Sequence, residues 1–458
     1  MKAALVSYAP VRGCIVLRPY GFGIWENLQR ELDARFKATG HENAYFPLLI
    51  PESLLAREAE HVEGFAPEVA WVTQGGQEQL EERLAVRPTS EVIIGPMYAR
   101  WIQSYRDLPV LINQWANVVR WEKATRPFLR TMEFLWQEGH TAHATAQEGR
   151  EETERILEVY RDFSENVAAI PVYAGLKSES ERFPGAVETF SIEALMPDGK
   201  ALQSATSHDL GQNFSRAYDI TFSDADQQLK HVFTTSWGMS WRMIGGVIMV
   251  HGDDRGLRVP PKLAPIEAVI IPIVKAGDRA AVKKAEALAQ QLRAEGLRVR
   301  ADVRDHSPGW KYSEWELRGV PLRIEIGPRD LQSGSAQVVR RDRMKGEEGA
   351  KFAVPFENLG SVIRAQLDSV QKSLYAQAKE FLTSHTFTVT DRAEFFKLCA
   401  ERMGMVDIAW CLRPQCEVAV KEATGATTRN MRKLQGNATT CVACGEPAVV
   451  NAYFAQSY

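Results

Sequence analysis

The stretch VVRWEKATRPFLRT, residues 118–131, opens like a buried strand and then crowds Arg120, Lys123, Arg126 and Arg130 together with Glu122, Trp121 and Phe128. It is flanked by LINQWAN on one side and MEFLWQEGHTAHA on the other, so the pattern predicts two strands joined by a charged loop. Alternate residues of an extended segment share a face, so Arg120 and Glu122 are expected to point the same way. A guanidinium in that position can hold a phosphate or a carboxylate, while the carboxylate accepts from an amine. The loop from Lys123 to Phe128 can fold over a ligand, Arg130 can face it from the return strand, and Phe128 can stack on a flat base. A solvated hairpin with surface ion pairs is the alternative, and spacing alone leaves both readings open.

Outward from the hairpin, IWENLQRELDARFKATG spaces Trp25, Leu28, Leu32 and Phe36 as one helix face, with Gly40 able to stop it. ENAYFPLLIP reads as a strand. TSEVIIGPMYARWIQSY reads as a helix capped by Thr89 or Ser90. REETERILEVYRDFSENV is an amphipathic helix, WRMIGGVIMV a further helix, and AVETFSIEALM, KALQSATSHDL, YDITFSD and HVFTTSWG are strands. Strands that do not alternate regularly with helices predict a mostly antiparallel sheet with flanking helices, an α+β arrangement. The Pro-rich RVPPKLAPIEA, residues 258–268, marks a linker. Beyond it EAVIIPIV, RAAVKKAEALAQQLRAEG, LRVRADV, WKYSEWELRG, PLRIEIG and AQVVRRD alternate strand and helix as a small α/β domain. A helical start near Ser361 leads into a cysteine-rich segment. The domains are therefore placed at 1–262, 263–360 and 361–458.

The chain is long enough for about three domains and for cores that need no disulfides. A net charge of −3 means that any nucleic-acid partner must be held by a local patch. No apolar run approaches a membrane span and MKAALVSYAP lacks a signal peptide's apolar stretch, so a cytoplasmic protein is expected. In that setting the six cysteines read as thiols or metal ligands. Cys411 and Cys416 are spaced C-x4-C, and Cys441 and Cys444 C-x2-C with Gly445 after them. Two such tight pairs can present four thiolates to one tetrahedral zinc. Cys14 and Cys399 lie outside the pairs.

GHENAYFP (40–47), RPTSE (87–91), RWE (120–122), LQSATSHDLGQNFS (202–215), TTSWGMSWRMIGG (234–246) and HGDDRGLRVPP (251–261) occur in this order. Together they resemble the class II aminoacyl-tRNA synthetases, specifically the prolyl-tRNA synthetases of the archaeal and eukaryote-like type. The resemblance implies proline–tRNA ligase activity, with ATP and its Mg2+ as substrate and cofactor, a homodimer built on residues 40–47, tRNA(Pro) as partner, and a structural zinc in a C-terminal domain. It implies that Arg120 binds the α-phosphate and the proline carboxylate, that Glu122 takes the adenine amino group, and that Phe128 stacks beneath the ring. Arg130, Thr131, Gln203, Thr206 and Ser240 complete the nucleotide site, and Arg242 covers its other face. The proline pocket is assigned to Thr89, Glu91, Trp136, Phe183 and His208, with Arg120 at its edge. Arg120 and Arg242 are the catalytic pair, and no general base is needed because the attacking carboxylate is already ionised. In the α/β domain, Glu316, Arg323 and Arg329 are candidates for reading the anticodon, since Arg can read guanine edges and Glu can accept from a base amine. Surface ion pairs are the alternative for each.

Relatives usually carry a further helix ahead of YAPVRG, so the N-terminal segment is expected to be shortened. The interval between Phe134 and Leu202 is too short for an inserted editing domain. Two other readings stay open: a class II synthetase for threonine, glycine or histidine, and a non-catalytic tRNA-binding paralogue. The paralogue would be expected to lose Arg120, Glu122 or Arg242, and all three are present.

Overall fold

The computed structural model describes residues 1–61, 68–274, 279–436 and 439–458. Its first half is built on β1 (Glu42–Asn43), β2 (Val110–Val119), β3 (Glu133–His143), β4 (Tyr173–Leu176), β5 (Glu188–Leu195), β6 (Ala201–Gly211) and β7 (Phe233–Ser240), hydrogen-bonded in the order β4-β5-β6-β7-β3-β2-β1. Each pair is antiparallel except β1 with β2. The expected strand ENAYFPLLIP is broken: Glu42–Asn43 joins this sheet, while Leu49–Pro51 pairs with Glu78–Val86 in another.

One face of the sheet is covered by α1 (Pro19–Ala38) and α2 (Ala146–Asn166). The predicted stripe Trp25, Leu28, Leu32 and Phe36 is buried, and the helix gives way at Gly40, whose φ of +89° suits a residue without a side chain. Thr145 caps α2 in a reciprocal capping box with Glu148. Phe36, Tyr160 and Trp237 meet at ring separations of 4.8 to 6.5 Å. Gly139 lies beneath the Trp237 indole, where a β-carbon would come within 2.0 Å of the ring. On the opposite face the helix Glu91–Trp101 packs Ile94 and Tyr98 over the part around Ala142, and the rest of that face lines a cavity.

The second sheet is β8 (Ala268–Pro272), β9 (Val299–Ala301), β10 (Leu322–Ile326), β11 (Ser335–Arg340) and β12 (Lys351–Pro355), ordered β9-β8-β10-β11-β12. The first three strands run parallel, as the βα alternation predicts. The Pro-rich segment before it is packed rather than loose. Leu263 and Ala264 are fully buried, and the Asn27 amide donates to the Leu263 carbonyl at 3.0 Å. Leu257 and Val259 donate to Leu317 and Gly319, which stitches the two units together.

A long helix, α3 (Leu359–Ser384), crosses the boundary drawn at 360/361. Leu359, Ile363, Leu367, Val370 and Leu374 complete the α/β core, whereas Leu382 packs with Met405 and Ala455 further on. The C-terminal strands β13 (Thr386–Thr388), β14 (Met405–Trp410), β15 (Thr427–Lys433) and β16 (Val450–Ala455) follow in the order β13-β14-β16-β15. Strand β15 then pairs with β4 through Met431 and Leu176, so a single 11-stranded sheet runs from the C-terminal segment into the first half.

His251, buried where the helix Arg242–His251 ends, donates through Nε2 to the Ala168 carbonyl at 2.9 Å. Burial, assisted by the charge of Arg258, pulls its pKa down to about 4. The unfolded chain takes up this proton near pH 6.5, so this contribution is full above about pH 6.5 and is lost as pH falls towards 4, at about 1.4 kcal/mol per unit. His251→Gln keeps a donor but cannot titrate. Urea unfolding at pH 7 and pH 5 should therefore show a smaller acid-induced loss in the variant, and equal losses in both proteins would contradict this assignment.

Candidate active site and cysteine cluster

Strand alternation builds the main cavity, of about 330 Å³. Trp136, Glu138 and His140 lie at alternate positions of β3, opposite Ser240, Gly238 and Ser236 of β7. The row continues through Thr206 and His208 of β6 to Ser191 and Thr189 of β5. Thr89 and Glu91 enter at the start of the helix Glu91–Trp101. Ser90 occupies the N-cap, yet neither expected hydroxyl caps the helix: Thr89 donates to the Glu91 carboxylate and Ser90 to Glu138.

Glu138 ties these pieces together. It accepts from the Ser90 amide at 3.0 Å, from the Gln114 amide at 2.9 Å and from His140 at 3.2 Å. Burial alone would raise its pKa, but His140, Ser90 and Gln114 outweigh that and hold it below the usual range. The reverse holds for His140, where Glu138 and Glu91 overcome burial and favour the proton. His208 behaves differently. Burial, with Lys177 and His140 adding repulsion, takes it down to about 3, so the ring is neutral at neutral pH. It hydrogen-bonds Thr189 at 3.0 Å and lies against Phe183, ring centroids 4.6 Å apart.

The same cavity also carries two guanidinium groups. Arg120 donates to the Pro88 carbonyl at 3.1 Å and lies over the Phe134 and Trp136 rings. Its guanidinium is open to the cavity but ringed by protein, so desolvation lowers its pKa, while Glu91, Glu138 and Glu122 act the other way. Arg242 donates to the Leu129 carbonyl at 3.0 Å; burial and the like charges of Arg120 and Arg130 all disfavour its proton. Two guanidinium groups facing one cavity can hold an anion such as a phosphate or a carboxylate. Ser236 Oγ and Trp136 Nε1 are buried with no hydrogen-bond partner among the described residues.

Of the residues expected at the nucleotide and the amino acid, Thr89, Glu91, Arg120, Trp136, Phe183, Gln203, Thr206, His208, Ser240 and Arg242 line this one cavity. The rest lie elsewhere. Strand β2 ends at Val119, so strand alternation does not orient Arg120 and Glu122. Glu122 is paired with Arg130 at 2.7 Å, and both line an adjoining cavity that Arg120 shares. Phe128 does not face the cavity: with φ at +63° its ring turns into the core against Trp241, with centroids 6.1 Å apart. Thr131 is likewise buried, its hydroxyl without a partner. Glu138, His140 and Lys177 were missed. The first two continue the alternation that begins at Trp136, a signal present in WQEGH.

In the α/β domain, Glu316 and Arg323 line a cavity of about 570 Å³, together with Tyr312, Arg341 and Arg343. Arg329 is exposed outside that lining, because it sits on the short helix Pro328–Ser333 past the strand end. Glu316 is bridged to Arg255 at 2.6 Å, and Arg323 lies 4.2 Å over the Tyr312 ring.

The four paired cysteines converge as their spacing predicts, with sulfurs all within 4.8 Å of one another. Cys411 and Cys444 are 3.5 Å apart, and Cys416 and Cys441 are 3.9 Å apart. Sulfurs tetrahedral about a zinc are about 3.8 Å apart, so the donor set fits that ion. A hydrogen bond from Cys416 draws the Cys441 thiol well below the usual thiol range, whereas burial holds Cys411 above it. Cys14 and Cys399 lie outside the cluster.

An antiparallel sheet whose open face carries a cationic pair, followed by a small α/β domain, defines a class II aminoacyl-tRNA synthetase. The profile described as the tRNA synthetase class II core domain (G, H, P, S and T) matches residues 71–251, that of the anticodon binding domain residues 267–366, and that of the prolyl-tRNA synthetase C-terminal domain residues 393–458. Proteins named proline–tRNA ligase are similar along the chain. That of Symbiobacterium thermophilum is 55% identical over 100% of this chain and 94% of its own length. That of Natranaerobius thermophilus is 52% identical over the same shares, and that of Rubrobacter xylanophilus 58% identical over 93% of this chain and 89% of its own. The chain belongs to the prolyl-tRNA synthetase family.

Proposed function

We propose that the chain attaches L-proline to tRNA(Pro) in two steps: proline and ATP give prolyl-adenylate and pyrophosphate, and the prolyl group then passes to the tRNA 3′ end. The observation that carries this reading is the mixed polarity of the main cavity, whose lining holds the Glu91 carboxylate together with the guanidinium groups of Arg120 and Arg242. A zwitterionic amino acid next to a polyphosphate matches that polarity. Glu91, oriented by Thr89, takes the ammonium; Trp136, Phe183 and neutral His208 wall the ring; Arg120 holds the carboxylate against the α-phosphate. The carboxylate oxygen attacks the α-phosphorus as the bond to pyrophosphate breaks. Arg120 and Arg242 stabilise the charge that grows there. Gln203, Thr206 and Ser240 contact the nucleotide from the cavity, and Glu122 with Arg130 from the adjoining one. Phe128 supports the nucleotide site from beneath. Mg2+ enters with the ATP.

The α/β domain binds the anticodon, with Glu316 and Arg323 facing the bases and Arg329 at the rim. Zinc held by Cys411, Cys416, Cys441 and Cys444 supplies the cross-link that fixes the C-terminal segment. The exposed Tyr45, Leu49 and Trp101, close to GHENAYFP, support an interface with a second copy. No helix among the described residues is long and apolar enough to cross a membrane, and we assign the enzyme to the cytoplasm, where its substrates are.

Arg120→Ala should lower proline-dependent pyrophosphate exchange by about a hundredfold to a thousandfold with thermal unfolding unchanged; near-parental exchange by the folded variant would overturn the assignment. Metal analysis should give one zinc per chain, lost in Cys441→Ser along with protection of the C-terminal segment from proteolysis. Full zinc content in a Cys411→Ser/Cys441→Ser protein would exclude the site. Light scattering at micromolar concentration should report the mass of two chains, against a monomer if the interface is misassigned.

A further inference from the structure

Lys177 is a buried lysine in the wall of the main cavity, and the reaction as described does not use it. Its ammonium donates to Gln203 Oε1 at 2.5 Å and lies 3.5 Å from Glu181 and 4.0 Å from Glu193. Glu193 stands directly opposite Gln203 on the paired strands β5 and β6 and is fully buried. Both carboxylates are shared with Arg429, which comes from β15 in the C-terminal segment and is itself buried. Arg429 lies 3.0 Å from Glu181 and 3.8 Å from Glu193. Its neighbour Asn430 donates to Ser191 Oγ at 3.0 Å, and Ser191 Oγ in turn donates to Glu193 at 2.9 Å.

This arrangement fixes more than charge balance. An ammonium has donors and no acceptor, so the Gln203 side chain must turn its oxygen towards Lys177. Its NH2 group is then the end left for the cavity. A primary amide free to flip could offer either end to a ligand at similar cost; one held by Lys177 offers only a donor.

Building on the proposed function, we propose that Arg429, Glu181, Glu193 and Lys177 form a relay that orients Gln203 as a hydrogen-bond donor to an acceptor atom of the bound adenylate, so that the C-terminal domain sets the nucleotide affinity of an active site it does not line. Lys177 and Arg429 are positioning residues in this scheme, and the ligand group is an oxygen of the phosphate or ribose.

The test uses the full-length protein and 5′-O-[N-(L-prolyl)sulfamoyl]adenosine, an unreactive mimic of the adenylate, titrated by calorimetry, with proline-dependent pyrophosphate exchange run in parallel. Lys177→Met and Arg429→Met should each weaken binding of the mimic roughly tenfold and raise the KM for ATP more than they lower kcat. Lys177→Arg, which keeps a donor-only cation, should restore most of the affinity. Gln203→Glu, which pairs with Lys177 but has no NH2 group, should bind as weakly as Lys177→Met. The double variant Lys177→Met/Arg429→Met should be no worse than either single change, because the chain acts as one unit. Parental affinity in Lys177→Met or in Gln203→Glu would overturn the relay. So would multiplying losses in the double variant. Should Arg429→Met fail to fold, Lys177→Met and Gln203→Glu, both in the first half, still decide the matter. An unaltered protein that shows no proline-dependent exchange would instead sink the underlying functional reading.

Discussion

The buried carboxylate of Glu138 is the point on which the active half depends. It accepts from the backbone amide and hydroxyl of Ser90, from the Gln114 side-chain amide on the neighbouring strand and from the imidazole of His140 on its own strand. A carboxylate taken out of water is tolerated only when its oxygens are satisfied. Satisfying them brings the Thr89–Glu91 turn up against the strand that carries Trp136 and His140. The position of Glu91 in the cavity wall follows from this one desolvated group.

The two guanidinium groups are placed by the main chain. Arg120 lies over the Trp136 ring and hangs on the carbonyl of Pro88, and Arg242, which opens a helix whose first turn abuts Leu129, donates to the Leu129 carbonyl. Like charge from Arg120 and Arg130 bears on Arg242 and is countered by Glu193 and Glu122, while Glu91, Glu138 and Glu122 favour the charge of Arg120.

The continuity of the large sheet gives the C-terminal segment a second part in the molecule. Its cysteine cluster lies among the residues of its own small core, whereas β15 reaches across to β4 and delivers Arg429 and Asn430 behind the cavity wall. A domain that looks like an appendage in the linear chain thereby becomes a wall of the first half. The long helix Leu359–Ser384 reinforces this, because one of its ends belongs to the α/β core and the other to the C-terminal one.

What the sequence determined by itself is local. The stripe of Trp25, Leu28, Leu32 and Phe36, the hairpin around Arg120, the βα alternation after residue 267 and the two short cysteine pairs all depend on residues within a few positions of one another, where periodicity and turn chemistry decide the outcome. The cavity residues Thr89, Glu91, Gln203 and His208 were legible only because their motifs occur in a known order. Tertiary structure decided the rest. Phe128 turns inwards with a positive φ that no local pattern announces, and Thr131 is buried as well. Strand β2 stops at Val119 rather than running on through Glu122. Lys177, Glu193 and Arg429 meet only because strand register sets Glu193 opposite Gln203 and sheet pairing brings β15 beside β4. Side chains brought together from opposite ends of the chain carry no short-range signal. Their pairing depends on which buried charges find partners once the sheet has formed, and that is a property of the packed molecule.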